Sequence, residues 1–320
     1  MAEQLGTDAV VANSRHMIQV GSKSFSAAAR LFDEQTRDGA YMLYAWCRYC
    51  DDEIDGQHLG FRDQEKSSAG AMQRFERLQE LTHRALAGEH TGDPVFEAFR
   101  RVVEQHAIPA RYPLDLLEGF AMDVRGRTYS GFADTLEYCY HVAGVVGVMM
   151  AHVMGAQGED TLNRACDLGM AFQLTNISRD VIDDAENGRV YLPEQWLREA
   201  GVAPDEIAAA HHRDAVFKVV ARMLGEAERY YSSAREGLRG LPFRSAWAVA
   251  TANGVYRDIG RKVMRRGAHA WDDRTSIGSA GKVCRALLGG ISAVRAVSVD
   301  RLTQPAPRPQ LWTRSVPPGS

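Results

Sequence analysis

An all-α architecture follows from three observations on this chain of 320 residues. Apolar residues recur at helical spacing along nearly its whole length. No proline falls between Pro113 and Pro193, and runs of alternating β-branched residues bounded by turn signals are missing. A chain this long can bury a large core, in one domain or in two.

The elements follow in order. The first helix is expected over residues 36–54, where the apolar and aromatic YMLYAWCRYC runs into an acidic end. Periodicity supports a second over 64–87. Asp93-Pro94 gives an N-cap followed by proline at the first helical position, which opens a helix over 94–106. The proline-free stretch then accommodates helices over 113–125, 135–153 and 160–185. Pro204-Asp205 breaks the chain before 214–239, and Gly240-Leu241-Pro242 breaks it before 245–266. Residues 282–297 form the last expected helix. Five of the eleven prolines lie in 304–320, so 299–320 reads as a disordered tail behind a single body, 1–298. From Gly281 onward six Lys/Arg stand against one Asp. The alternative to a solvated tail is a membrane-surface or partner contact through Leu311 and Trp312.

Composition narrows the function. Hydrophobic content of 45% and charged content of 25% are ordinary for a globular protein. A net charge of −3 without a dense basic stripe argues against nucleic acid as a partner. The N-terminus lacks a signal-peptide pattern, and the most apolar stretch, 142–151, falls short of the roughly 20 residues of a membrane span. Five cysteines, an odd number, argue against a disulfide framework. A cytoplasmic protein is expected.

The chemistry lies in two aspartate pairs, Asp51/Asp55 and Asp180/Asp184. Spacing of i, i+4 puts both carboxylates of a pair on one helix face, where like charges repel. Divalent cations such as Mg²⁺ take carboxylate oxygens and complete their shell with substrate phosphates. A lone acidic cluster is usually a solvated helix end, but this one follows a buried-looking helix and is repeated. Arg48 lies one turn before Asp51, placed to hold a carboxylate or reach a phosphate. Gln173, Asn176, Asp180 and Asp184 share one face of an otherwise apolar helix, as the wall of a cavity would. Gly144 and Gly147 read either as tight helix packing or as a tunnel wall with Met149, Met150 and Met154 as pliable lining. Other chemistries lack their parts. Only Glu80-Leu81-Thr82-His83 matches the di-iron motif that must occur twice. Cys47 and Cys50 are half a zinc site without its complement, and neither a GxGxxG nor a P-loop occurs.

The segments GSKSF (21–25), MLYAWCRYCDDEID (42–55), YCYHVAG (138–144), and QLTNISRDVIDD (173–184) with GRVYLP (188–193) resemble the squalene/phytoene synthase family. The resemblance runs from about His16 to Trp312. It implies a single-domain isoprenoid-synthase helical bundle around a central cavity, with 1–298 as the prenyl-coupling domain. It implies that Asp51, Asp55, Asn176, Asp180 and Asp184 hold Mg²⁺ or Mn²⁺, more than one ion per site. Ser22, Ser24, Arg48, Arg179, Lys262 and Arg274 match positions near the phosphates. Tyr44, Tyr138 and Tyr256 match cavity tyrosines, of which Tyr138 and Tyr256 are taken as catalytic; Phe25, Ala143, Val146 and Gly147 match apolar lining, beside Gln173. The implied reaction couples two geranylgeranyl diphosphates head to head, through prephytoene diphosphate, to phytoene in carotenoid biosynthesis. The alternatives are a thirty-carbon product from farnesyl diphosphate, or a non-catalytic scaffold relative. An insoluble forty-carbon product implies peripheral membrane docking and transient contact with the next carotenoid-pathway enzyme.

Overall fold

The computed structural model describes residues 7–21, 23–58, 61–62 and 70–315, with side chains described for 11–19, 26–56 and 70–315. Two helices, α1 (Thr7–Gly21) and α2 (Lys23–Ala29), precede the first expected one. α3 (Glu34–Asp55) starts where Asp33 accepts a hydrogen bond from the Thr36 amide at 2.9 Å. It ends because Gly56 adopts φ 62°, which turns the chain away directly after Asp55. Two two-residue strands follow, β1 (Gln57–His58) and β2 (Phe61–Arg62), paired antiparallel. They are the only sheet among the described residues, and the fold is all-α.

α4 (Ala71–Leu86) begins later than expected, and residues 63–69 lie outside the described ones. α5 (Pro94–Gln105) opens as its N-cap predicts, with the Val95 amide donating to Asp93 Oδ1 at 2.8 Å. α6 (Arg111–Val124) comes next. The helix expected over 135–153 is a continuous rod made of α7 (Phe132–Cys139), a π-helical turn over Tyr140–Gly144, and α8 (Val145–Val153). α9 (Glu159–Glu186), the short α10 (Glu194–Glu199), α11 (Arg213–Gly237), α12 (Phe243–Arg266) and α13 (Ser279–Ser298) complete the order.

α9 is the axis of the molecule, packed against α8, α11 and α12, and its buried residues run from Leu162 to Ile182. Its approach to α8 is unusually close. A Cβ on Gly169 would lie 2.2 Å from the Ala143 carbonyl oxygen, and one on Gly147 would lie 2.3 Å from that of Ala165. One hydrophobic core runs through the chain from Ile18 to Ala296. Among the described residues no helix is long and apolar enough to cross a membrane.

The tail is a correction. Residues 303–315 form no regular element beyond the 3-10 turn that precedes them, as their prolines dictate, yet the described part of 299–320 is fastened to the body. Arg308 donates from Nε and Nη2 to Asp167 at 2.8 and 2.6 Å. The Ala306 carbonyl accepts from Arg164 Nη2 at 2.6 Å. Trp312 packs on Tyr140 with ring centroids 4.8 Å apart, and Arg314, itself buried, pairs with Glu159 and reaches Tyr112. Composition registers low helix propensity; it does not register partners more than a hundred residues away.

Candidate active site

Asp51, Asp52 and Asp55 sit at the end of α3, and Asp180, Asp183 and Asp184 near the end of α9; neither helix has a basic residue in its last turn. A helix C-terminus is the negative pole of its dipole. The last-turn carboxylates, Asp52 and Asp55 on α3 and Asp183 and Asp184 on α9, are therefore each disfavoured by about 0.3–1 kcal/mol. Asp51 and Asp180, one turn earlier, add like charge to them. The arrangement therefore opposes folding, twice, and calls for cations.

Side-chain cations supply part of the need. Arg48 bridges Asp51 at 3.1 Å and Asp52 at 2.7 Å. Arg179 grips both oxygens of Asp180, and Arg274 Nε stands 3.7 Å from the same carboxylate. Arg189 Nη2 lies 2.5 Å from Asp55 Oδ1, and its charge also acts on Asp123 and Asp184. It marks where the two clusters converge. Six carboxylates, those of residues 51, 52, 55, 123, 180 and 184, thus face four guanidiniums, leaving a deficit of positive charge.

The protonation tendencies record that deficit. Burial, followed by the charge of Asp55, pushes Asp51 up to about 7 against the pull of Arg48. Its side chain is 44% exposed and lines the cavity. Burial and then Asp180 lift Asp184 to about 7. Asp123, on α6, accepts from the hydroxyls of Tyr138 and Tyr191, both at 3.0 Å. Burial raises it to about 6, opposed by Arg189 and those two hydrogen bonds.

The clusters stand at one side of a cavity of about 760 Å³. Of the residues expected from sequence, Tyr44, Arg48, Asp51, Tyr138, Ala143, Val146, Gly147, Gln173, Asn176, Arg179, Tyr256 and Arg274 line it. Phe32, Leu43, Phe120, Met150, Met154, Leu168 and Leu241 add apolar wall. Asp55, Asp180 and Asp184 are not wall residues; Arg189 and Arg179 draw the first two aside. Lys262 stands a layer behind, donating to the carbonyl of the wall residue Ser276 at 3.2 Å. Ser22 lies outside the described residues, and Ser24 and Phe25 belong to α2 without described side chains. Met149 is a correction to the tunnel reading: it is fully buried in the core and lines nothing. Both readings of the glycines hold in part. Gly147 lines the cavity, while the close approach of α8 to α9 is what forbids it a side chain.

Sequence reasoning missed Asp123, Arg189 and Tyr191. Arg189 and Tyr191 fall inside GRVYLP, but nothing in that segment tells where they point. Asp123 is a single acid after the apolar Phe120-Ala121-Met122, without the repeat that exposed the other pairs.

The donor set fits a divalent cation. It offers hard carboxylate oxygens at two negative helix poles, and the amide oxygen of Asn176 is buried without a hydrogen-bond partner. Among the described residues no three acidic, histidine or cysteine side chains converge into a ready cage. Mg²⁺ does not need one, since it is commonly held by one or two carboxylates together with substrate phosphates.

The squalene/phytoene synthase family profile matches residues 18–280. The chain belongs to that family. The 15-cis-phytoene synthase of Pantoea ananas is 50% identical over 296 residues, covering 92% of this chain and 94% of the relative. That of Enterobacter agglomerans is 49% identical over 300 residues, covering 93% and 100%. Among solved structures, a dehydrosqualene synthase with a bound ligand superposes with a TM-score of 0.79 at 25% identity, over 88% of this chain and 95% of that one. Squalene synthase HpnC from Alicyclobacillus acidocaldarius, at 24% identity and a TM-score of 0.71 over 81% and 94%, shares the fold.

Proposed function

We propose that this chain is a prenyltransferase that joins two geranylgeranyl diphosphates head to head, through prephytoene diphosphate, to phytoene with release of diphosphate. The observation that carries the reading is the convergence of two carboxylate-bearing helix ends, sharing Arg189, at one side of a largely apolar cavity. Half-identity to 15-cis-phytoene synthases along nearly the whole chain supports the choice of product.

Asp51, Asp55, Asn176, Asp180 and Asp184 would hold Mg²⁺ or Mn²⁺. Bound there, the ions supply Lewis-acid neutralisation of the departing diphosphate. Arg48, Arg179 and Arg274 add fixed cations where that charge develops; Lys262 and Ser276 shape the loop beside them. The apolar walls exclude water, which would otherwise capture an allylic carbocation. Tyr44, Tyr138 and Tyr256 present aromatic faces that stabilise a passing cation without bonding to it. Burial pushes Tyr44 up to about 12 and raises Tyr138 and Tyr256 as well, so all three stay neutral. Asp123 orients the Tyr138 ring through its hydroxyl. A forty-carbon hydrocarbon does not dissolve in cytosol, so the enzyme works as a peripheral protein at a membrane surface.

Product chromatography after incubation with geranylgeranyl or farnesyl diphosphate and Mg²⁺ tests the reading. Phytoene from the first substrate is expected. A thirty-carbon hydrocarbon from the second, with no forty-carbon product from the first, would assign the chain to the chemistry named for its structural neighbour instead.

A further inference from the structure

α13 is packed in the reverse of the usual sense. The residues it buries are small: Gly289, Ala293 and Ala296. On its other side Val283, Leu287, Ile291 and Val294 recur at helical spacing and are 61%, 66%, 68% and 54% exposed. Leu288, Val299 and Leu302 extend the patch. The inward small residues follow from a close fit on α12. A Cβ on Gly289 would lie 2.6 Å from Thr251 Oγ1, and Trp247 Nε1 donates to the Ala286 carbonyl at 2.7 Å. Nothing in that fit calls for large aliphatic side chains facing water, and a contiguous patch of them on an otherwise ordinary surface marks a contact site.

We infer that the outer face of α13 is the surface by which this protein docks on an anionic lipid bilayer. Two observations select lipid. The helix carries Lys282, Arg285 and Arg295 and no acidic residue over Ser279–Ser298. Arg285 is held by Asp258 of α12 and Arg295 by Asp300. That leaves Lys282 at its start and Arg301 just beyond its end as basic charge beside the apolar face for acidic headgroups. The face also begins at the cavity: Ile277 and Lys282 line it, and Val283 is the next residue. A second copy of the chain seated there would obstruct that approach, whereas an acyl phase would meet it. Resting on the proposed reaction in this one respect, the surface gives the insoluble product a short path from cavity wall to bilayer.

The test is flotation of the full-length protein with phosphatidylethanolamine/phosphatidylglycerol vesicles. Wild type is compared with Leu287→Glu/Ile291→Glu and with Leu287→Ser/Ile291→Ser, which removes apolar area without adding charge. Both positions are too exposed to serve the fold, and unchanged circular dichroism checks this. Wild type floats, and each double variant binds at least about tenfold more weakly, as loss of buried apolar area dictates. Turnover in detergent stays at the wild-type level in both variants. A fluorophore on Cys284, the one exposed cysteine among the described residues, shifts to the blue on vesicles in the wild-type background alone. Equal flotation of wild type and variants overturns the assignment, as does a wild type that stays in solution. A wild-type dimer that the variants break, without flotation, gives the face to a second copy and also overturns it. Absence of phytoene in detergent refutes the proposed reaction separately, while flotation still judges the surface.

Discussion

Asp51 and Asp180 each stand in a cluster that folding would be better off without, which separates their contribution to activity from any contribution to stability. Asp51→Ala and Asp180→Ala each lower turnover by at least about a hundredfold, the effect of deleting one preorganised electrostatic group. Helicity and thermal midpoint of the Asp51→Ala protein stay at or above wild type in the absence of metal. Retained turnover in both variants contradicts the clamp. The same charges set a pH dependence. Asp51 and Asp184 ionise near 3.8 when unfolded and near 7 when folded, so between those values the folded state holds protons that the unfolded state has lost. Stability of the metal-free protein therefore falls as pH rises from about 4 to 7 and then levels. Because ligands must shed protons to bind metal, the rise in melting temperature on replacing EDTA with Mg²⁺ is larger at pH 8 than at pH 5.5. A larger rise at pH 5.5 contradicts this. These residues were legible because their spacing is repeated. Asp123, Arg189 and Tyr191 were not, since each acts on partners brought near by other helices.

Along the helices, glycine carries opposite meanings that only contacts distinguish. Gly169→Ala forces a Cβ to within 2.2 Å of a backbone oxygen in the π-helical turn, where no flexible side chain can yield. It destabilises by about 1–3 kcal/mol. Gly225, in the middle of α11, has no atom within 4 Å of its would-be Cβ beyond its chain neighbours and its own helix backbone. There the same substitution stabilises by about 1 kcal/mol. Denaturant midpoints of the two variants should move in opposite directions; a shift of the same sign shows that α8 and α9 can separate. α5, with strong apolar periodicity and a clear cap, and α9, a long proline-free run, were readable to within a few residues. α1, α2 and α10 were not, because a helix as short as α10 owes its existence to what it packs on rather than to its own propensity. The π-helical turn that joins α7 to α8 left no mark in the sequence either.

The chain closes on itself through its last residues. Asp167 is wholly buried and is satisfied by Arg308 from the tail and by Ser233 Oγ at 2.6 Å. Arg308→Ala leaves a buried carboxylate without its counter-charge and costs about 3–5 kcal/mol. Adding Asp167→Asn restores part of the loss, which a double-mutant cycle of unfolding free energies measures. If Arg308→Ala is neutral, the strap is ornamental. What the amino-acid order settled unaided was whatever depends on neighbours within one or two turns: the all-α architecture, the two aspartate pairs, and the cationic partner of the first. Periodicity and i, i+4 geometry are local, so one sequence suffices to read them. Folding in three dimensions decided which carboxylates share a cation, which methionines face the cavity, that a proline-rich end is held down, and that one helix turns its largest aliphatic residues outward. Each of these is a contact, or a missing contact, between residues far apart along the chain, and spacing along a single strand of text does not encode it.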